Sequence, residues 1–333
     1  MFAPLIVGLA GTSLIPFERD YLAAVKPFGI IVFARNIESA PQLAALVAEA
    51  KAASGAVLGF VDQEGGRVQR LRPPLAPRYP AAARIGALYA SDAEAGRRAA
   101  FLSGRLIGAD LAGFGLDSPC LPVADLPVPG AHDVIGDRAY GHDAATVATL
   151  AGEAARGVLA AGCLPVVKHI PGHGRAHVDS HVSLPDVTAS RKALAEDFAP
   201  FAALSDLPMA MTAHVRYAAL DPAAPATLSR IVIDLVRTEI GFDGLLMGDD
   251  ISMGALGGDI SANAARSLEA GCDCVLHCNG SRGEMEAIAA SLPPMGADAA
   301  ARLDRALAAR QTPEPADLEA LRAEFAALTG ADA

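Results

Sequence analysis

The sequence has few of the features that mark membrane-spanning, nucleic-acid-binding or disulfide-stapled proteins. No apolar run approaches the roughly 20 residues that a spanning helix needs. There are 27 basic residues against 38 acidic ones, and the resulting formal net charge of -11 argues against nucleic acid as the main partner. The five cysteines are odd in number and lack the CxxC zinc spacing. We therefore expect reduced, buried thiols that behave as small apolar side chains.

The N-terminal segment MFAPLIVGLAGTSLIPFERD is apolar, but it lacks the basic start of a secretory signal. Its first basic residue, Arg19, follows the apolar run instead of preceding it. We interpret the run as a buried first strand and expect a cytoplasmic protein.

Eight short apolar runs alternate with longer, mostly Ala-rich segments of helical character. They are apolar throughout, as expected for strands of a parallel sheet that is buried on both faces. The runs are APLIVGLAG, GIIVFARN, AVLGFVDQ, DSPCLPVAD, LPVVKHI, MAMTAHV, GLLMGDD and DCVLHC.

Eight strands with intervening helices are the count of a (β/α)8 barrel. We predict a single catalytic domain over residues 1–333, with strands within about 3–280 and a helical segment over about 282–333. A doubly wound open sheet is the alternative, but no GxGxxG motif follows the first run.

Polar residues follow the apolar runs at the ends that would meet at one mouth of a barrel. In barrel enzymes this mouth holds the chemistry. The strand-end residues are Asp62, Lys168, His169, His214, Asp249 and Asp250, and the fourth run leads into the long loop ADLPVPGAHDVIGDRAYGHD. Their shared position predicts a functional site at the mouth.

The stretch KHIPGHGRAHVDSH, residues 168–181, contains half of the eight histidines at a regular spacing of four. On a helix this spacing would align metal ligands on one face. The stretch also contains Pro171, Gly172 and Gly174, a combination that breaks helices. We therefore predict a loop, in which the regular spacing of His169, His173, His177 and His181 has no helical meaning.

Asp179 and His181 stand two residues apart in this loop, so in an extended segment their side chains point the same way. An aspartate on one ring nitrogen fixes the tautomer and leaves the other nitrogen to exchange a proton near neutral pH. Taken alone, the DSH motif fits a local loop bond without a catalytic role equally well.

In GDDISM two acids follow an apolar strand, and consecutive side chains on a strand diverge. We predict that Asp249 faces the mouth as a nucleophile or electrostatic partner, and that Asp250 caps the next helix. In VDQEGGRVQRL the glycines permit a tight turn. Asp62 and Arg70 could bind a polyhydroxylated ligand or pair with each other.

Together these motifs resemble glycoside hydrolase family 3. The resemblance spans about residues 5–280 and includes DQEGGRVQRL, VIGDRAYG, KHIPGHG, DSH, MTAH and GDDISMGAL in the family's order. Within the family the chain is similar to bacterial β-N-acetylglucosaminidases of the NagZ type. The resemblance implies a retaining exo-hydrolase that removes terminal β-linked N-acetylglucosamine from anhydro-muropeptide fragments in peptidoglycan recycling, with no cofactor and no metal.

Carried over residue by residue, the resemblance makes Asp249 the nucleophile and His181 the acid/base, oriented by Asp179. Its sugar-binding positions fall on Asp62, Arg70, Arg138, Lys168 and His169. We expect a monomer with a small carbohydrate substrate and with neither nucleic acid nor membrane as a partner.

Three other functions remain as alternatives. One is a phosphorylase of the same family, since a neutral histidine would tolerate an incoming phosphate that a carboxylate would repel. Another is a metal-dependent barrel hydrolase that uses His169, His173 and an aspartate. The third is a binding protein with an inactive barrel.

Overall fold

The computed structural model of the chain describes residues 2–330. The main sheet consists of eight parallel strands: β1 (Ala3–Gly8), β2 (Pro27–Val32), β3 (Leu58–Val61), β4 (Ser118–Pro119), β5 (Val166–Ile170), β6 (Met209–Thr212), β7 (Leu245–Asp250) and β8 (Cys274–His277). Their order in the sheet is β4-β3-β2-β1-β8-β7-β6-β5, which confirms the predicted (β/α)8 class.

The ring closes between β4 and β5. A parallel bridge joins Val123 to Lys168, and the backbone N–H of Ala124 donates to the Lys168 carbonyl at 2.7 Å. Seven of the eight apolar runs contain a complete strand of the barrel, and the second run contains all of β2 except its first two residues, Pro27 and Phe28. The fourth is the shortest, because its chain continues past Pro119 as irregular backbone toward the mouth.

Eleven α-helices surround and extend the sheet in the part of the chain that the structure describes. They are α1 (Pro16–Val25), α2 (Ala40–Ser54), α3 (Ala82–Ser91), α4 (Ala93–Ala112), α5 (Ala144–Ala160), α6 (Arg191–Ala203), α7 (Arg230–Thr238), α8 (Ile260–Ala270), α9 (Arg282–Ser291), α10 (Ala297–Ala308) and α11 (Leu318–Thr329). Most begin at a Ser or Asp whose side chain accepts a hydrogen bond from the first helical turn, a contact that stabilises a helix by about 1 kcal/mol. These capping residues are Ser39, Asp92, Asp143, Ser190, Ser229, Asp259 and Asp317.

The strands are apolar at every position because they separate two cores. In β1, Leu5 and Val7 pack outward beneath the helices, whereas Ile6 packs inside the barrel. Leu303 and Ala306 of α10 join the interior cluster, so this helix contributes to the core inside the barrel. None of the helices described is long and apolar enough to cross a membrane.

All five cysteines are free thiols, as expected, and four of them are buried. Burial raises the pKa of the Cys120 thiol, which therefore stays protonated at neutral pH. Cys278 is half-buried and contributes to the wall of a pocket at the barrel mouth.

Candidate active site

A pocket of about 350 Å³ opens at the mouth, where the carboxyl ends of the strands meet. This volume lies in the range of small-molecule sites. Seven of the eight residues predicted from the sequence line it: Asp62, Arg70, Arg138, Lys168, His169, His181 and Asp249. The eighth, Asp179, is bonded to His181.

A network of five charged side chains forms one wall of the pocket. Lys168 Nζ lies 3.0 Å from Asp62 Oδ1 and 2.6 Å from Glu64 Oε1. Arg70 donates to Asp62 at 3.0 Å, so the two alternatives for this pair are not exclusive: the side chains pair and also line the pocket. Arg138 holds Glu64 through two parallel bonds of 2.8 Å. Such bidentate contacts fix both side chains in position.

The charges of this network are mutually stabilised. Burial alone would raise the pKa of Glu64, but the Arg138 and Lys168 charges outweigh it and bring the value to about 2. In Asp62, Lys168 and Arg70 likewise overcome burial and lower the pKa. Both carboxylates are therefore ionised at neutral pH and can accept hydrogen bonds from sugar hydroxyls, while the cations donate.

Glu64 was not among the predicted site residues, although a signal was present. It stands two positions after Asp62, so an extended backbone points both carboxylates the same way. Residues Gln63–Gly65 form an antiparallel ribbon with Val68–Gln69, which returns Arg70 to Asp62. Gly65 and Gly66 make this turn possible because their φ angles of 102° and 56° lie in the left-handed region.

Asp249 is the penultimate residue of β7 and lines the pocket, as predicted. Burial raises its pKa, but the interactions with the His214 and His169 rings, the backbone bond from Asp250 and the charge of Lys168 outweigh burial and bring the net value below the usual range. This backbone N–H donates to Asp249 Oδ1 at 2.8 Å. Asp249 is therefore an ionised carboxylate in the pocket lining, and ionised is the state that a nucleophile requires.

The prediction that Asp250 caps the next helix is wrong. Helix α8 begins ten residues later and is capped by Asp259, which accepts from the Ala262 N–H at 2.8 Å. Asp250 also contributes to the pocket wall, contrary to the expectation that only one acid faces the mouth. Its oxygens are occupied by the backbone N–H and hydroxyl of Ser252 and by the Cys278 N–H, at 2.8–3.1 Å.

His169 is held by a residue that sequence reasoning did not identify, Asp125. The His169 Nδ1 lies 2.6 Å from Asp125 Oδ2, and the backbone N–H groups of His169 and His173 donate to Oδ1 of the same carboxylate. Asp125 lies at the end of the fourth apolar run. It contacts His169 only because the barrel closes between β4 and β5, and the sequence does not show which strands are neighbours at this point.

His214 lies behind Asp249 and is fully buried. Its ring nitrogens lie 2.7 Å from the Thr227 hydroxyl and 3.0 Å from the Asp250 carbonyl oxygen. Burial lowers its pKa, so the ring is neutral at neutral pH. Although His214 is at a strand end, as predicted, it supports the strand that carries Asp249 and does not line the pocket.

The stretch 168–181 contains no helix, as predicted; its first three residues end β5, and the loop runs from residue 171. Within it, Asp179 Oδ1 lies 2.7 Å from His181 Nδ1 and accepts the His181 backbone N–H at 2.9 Å. The His181 side chain is 66% exposed, against 34% for Asp179. Partial burial raises the pKa of Asp179, but the two bonds from His181 reduce it to a net value below normal. The aspartate thus fixes Nδ1 and leaves Nε2 available to a ligand.

No group of three His, Cys, Asp or Glu side chains within residues 2–330 is arranged to hold a metal ion. The His169, His173 and aspartate set of the metal-dependent alternative does come together around Asp125, but its contacts are hydrogen bonds within the protein.

Comparisons with known proteins agree on one family. The Glycosyl hydrolase family 3 N terminal domain matches residues 18–308. A Beta-hexosaminidase from Bordetella parapertussis is 41% identical over 283 residues, covering 83% of this chain and 80% of the relative. One from Aromatoleum aromaticum is 38% identical over 325 residues, covering 96% and 90%. The crystal structure of NagZ from Neisseria gonorrhoeae in complex with N-trifluoroacetyl-D-glucosamine matches with a TM-score of 0.89 and 34% identity over 98% of both chains.

Proposed function

Because the chain belongs to glycoside hydrolase family 3 and is a β-hexosaminidase, we propose that it removes terminal, non-reducing β-linked N-acetylglucosamine with retention of configuration. One observation carries this mechanism. The same pocket is lined by Asp249, an ionised carboxylate on a rigid strand, and by His181, a ring whose Nδ1 is fixed by Asp179.

In the first step the Asp249 carboxylate attacks the anomeric carbon as the glycosidic bond breaks. His181 Nε2 gives its proton to the departing oxygen, and Asp179 stabilises the ring through the 2.7 Å contact with Nδ1. The product of this step is a covalent glycosyl-enzyme on Asp249.

In the second step the now unprotonated Nε2 takes a proton from water, and the water oxygen displaces Asp249 from the anomeric carbon. Two inversions give net retention. Retaining glycosidases ordinarily use two carboxyl groups about 5–5.5 Å apart. Here an imidazole with its own carboxylate partner takes the second position.

The charged wall of the pocket supplies the sugar contacts. Asp62 and Glu64 accept hydrogen bonds, and Arg70, Arg138 and Lys168 donate them. Hydroxyl contacts strengthen as the sugar distorts toward an oxocarbenium ion. Because their partners already hold these side chains in place, little reorganisation accompanies the reaction.

We propose that the natural substrates are N-acetylglucosaminyl-anhydro-muropeptide fragments. We further propose that they are processed in the cytoplasm during peptidoglycan recycling. Support comes from the similarity to the Neisseria gonorrhoeae NagZ over 98% of both chains. We also propose that the protein acts as a monomer, which is compatible with Asp249, His181 and the charged wall all coming from one chain. Hydrolysis of paired aryl glycosides with and without the 2-acetamido group tests the sugar specificity. Formation of a sugar 1-phosphate in phosphate buffer would instead favour a phosphorylase.

The central test is His181→Ala with an activated aryl N-acetylglucosaminide. An activated phenolate leaves without protonation, so glycosylation of Asp249 should continue, whereas water loses its base in the second step. We expect the covalent intermediate to accumulate in intact-protein mass spectrometry. Azide, which needs no proton removal, should restore turnover and give a β-glycosyl azide.

No adduct, no rescue, or an α-configured azide from a folded variant would remove His181 from the acid/base role. His177→Ala is the matched control, because His177 is an exposed histidine of the same loop that does not line the pocket. It should retain normal turnover and show no response to azide.

A further inference from the structure

The loop that carries Asp179 and His181 is anchored by the residue between them. Ser180 is 2% exposed, whereas its two neighbours extend toward solvent. Its hydroxyl oxygen lies 3.0 Å from His173 Nε2, and its carbonyl accepts the Ala255 N–H at 3.1 Å. Asp179 and His181, the proposed proton-exchanging pair, therefore lie on either side of a residue that is held in place.

His173 is itself fastened to the barrel. Its backbone N–H donates to Asp125 Oδ1 at 2.6 Å, and its ring packs edge-on against that of His169 with 5.5 Å between centroids. Asp125 also bonds His169. One buried carboxylate thus fixes His169 and the backbone of His173, which both line the pocket, and the His173 ring reaches Ser180.

The bonding of the His173 ring can be assigned. Burial and the nearby His169 lower the pKa of His173 to about 4, so the ring is neutral at neutral pH. Its Nδ1 is buried without a hydrogen-bond partner among residues 2–330. A buried unpaired N–H is rarer than a buried unpaired acceptor. The proton therefore belongs on Nε2, which donates to the Ser180 hydroxyl.

The other side of the anchored segment rests on the turn that follows the nucleophile's strand. Gly254 N–H donates to the His181 carbonyl at 3.3 Å. A Cβ at Gly254 would lie 2.8 Å from the carbonyl oxygens of both His181 and Val182, so no larger residue fits without displacing the loop. These contacts fix the position of the acid/base loop relative to the strand that carries the nucleophile.

We propose that His173 is a positioning residue for the acid/base: through Ser180 it holds the Asp179–His181 pair where His181 can exchange protons with leaving group and water. This inference rests on the proposed function, because it requires His181 to be the acid/base. The histidine of the GHG motif in the histidine-rich loop is thereby assigned a role in positioning the acid/base, which is distinct from sugar binding.

The test compares His173→Phe, His173→Gln and Ser180→Ala on two substrates that differ in their need for acid. For dinitrophenyl N-acetyl-β-glucosaminide, whose leaving group needs no proton, we expect kcat/KM within about 3-fold of the wild type. For an alkyl N-acetyl-β-glucosaminide, we expect a loss on the order of 10- to 100-fold, since displacing a catalytic group by 1 Å costs about 10²-fold.

His173→Gln supplies an amide N–H near the place of Nε2 and should restore most of the alkyl activity. Ser183→Ala is the matched control for Ser180→Ala, because Ser183 is an exposed serine of the same loop. It should match the wild type on both substrates. Ser180→Ala removes the same hydrogen bond without a change in the buried ring, so it decides the question if His173→Phe does not fold.

His181→Ala is measured in parallel and separates two failures. If it shows the large difference between the two substrates but Ser180→Ala and His173→Phe lose activity equally on both, His173 does not act through the acid/base and the inference is overturned. If His181→Ala itself shows no difference between substrates, its assigned role fails, and the inference fails with it.

Discussion

Replacing Lys168 with methionine should destabilise the protein by about 3 kcal/mol. The Lys168 side chain is 2% exposed and lies between the carboxylates of Asp62 and Glu64, at 3.0 and 2.6 Å. Methionine fills similar space but removes the positive charge. Loss of one partner from a buried ion pair costs about 3–5 kcal/mol. The low end applies because Asp62 keeps Arg70 and Glu64 keeps its bidentate Arg138.

The corresponding change in Tm follows from chain length. Unfolding entropy is about 2.1 cal/mol/K per residue, which for a chain of this length amounts to about 0.7 kcal/mol/K. A loss of about 3 kcal/mol therefore lowers Tm by about 4 °C. Circular dichroism melting at pH 7 measures this directly, and urea unfolding gives an independent midpoint shift. Lys192→Met, on the exposed face of α6, is the control and should lie within about 0.5 kcal/mol of the wild type.

The double variant Lys168→Met/Glu64→Gln tests the stated cause. If the cost comes from an uncompensated carboxylate, neutralising Glu64 should recover part of it, with a coupling energy of at least about 1 kcal/mol between the two changes. Strictly additive effects, or a single variant as stable as the Lys192 control, would refute the reasoning, because the buried lysine would then be no more than packing.

Two further predictions concern chemistry and pH. Asp249→Ala should abolish turnover of aryl N-acetylglucosaminides in a folded protein. Asp250→Ala should retain more activity, because the Asp250 oxygens are hydrogen-bonded to Ser252 and Cys278. The reverse ranking in a steady-state assay would mean that Asp249 is not the nucleophile. The pKa of His173 falls from 6.5 to about 4 on folding, so between these values the folded protein binds fewer protons than the unfolded chain. The free energy of unfolding is therefore unaffected by this group above pH 6.5 and decreases as the pH falls toward 4. Tm measured across this range should therefore fall less steeply in His173→Gln, and parallel curves would contradict the assignment of a buried neutral ring.

Much of the fold could be read from the sequence because its signals are local or repetitive. A strand buried on both faces must be apolar at every position, and eight such runs separated by helices leave few architectures. The same reasoning brought Asp62, Lys168, His169 and Asp249 to one mouth, and the structure gathers them in one pocket.

The parts that were missed depend on contacts between distant segments. Asp125 meets His169 only because β4 and β5 close the ring. For Asp250, the pattern of an acid after a strand suits a helix cap, but the next helix begins at Ile260, after a turn that contains the pair Gly257 and Gly258. Glu64 is different, since its alternation with Asp62 was visible and went unused.

The two groups that we propose to react are held in place in different ways. Asp249 stays ionised because of several parts of the barrel, including His214 and His169, so its properties depend on the closed fold. His181 carries its own partner two residues away, so the tautomer is fixed within the loop itself. The loop therefore needs contacts with the barrel only to fix its position. Contacts at Ser180 and Gly254 fix this position, and we expect a change at either point to alter where the proton is delivered without altering the Asp249 carboxylate.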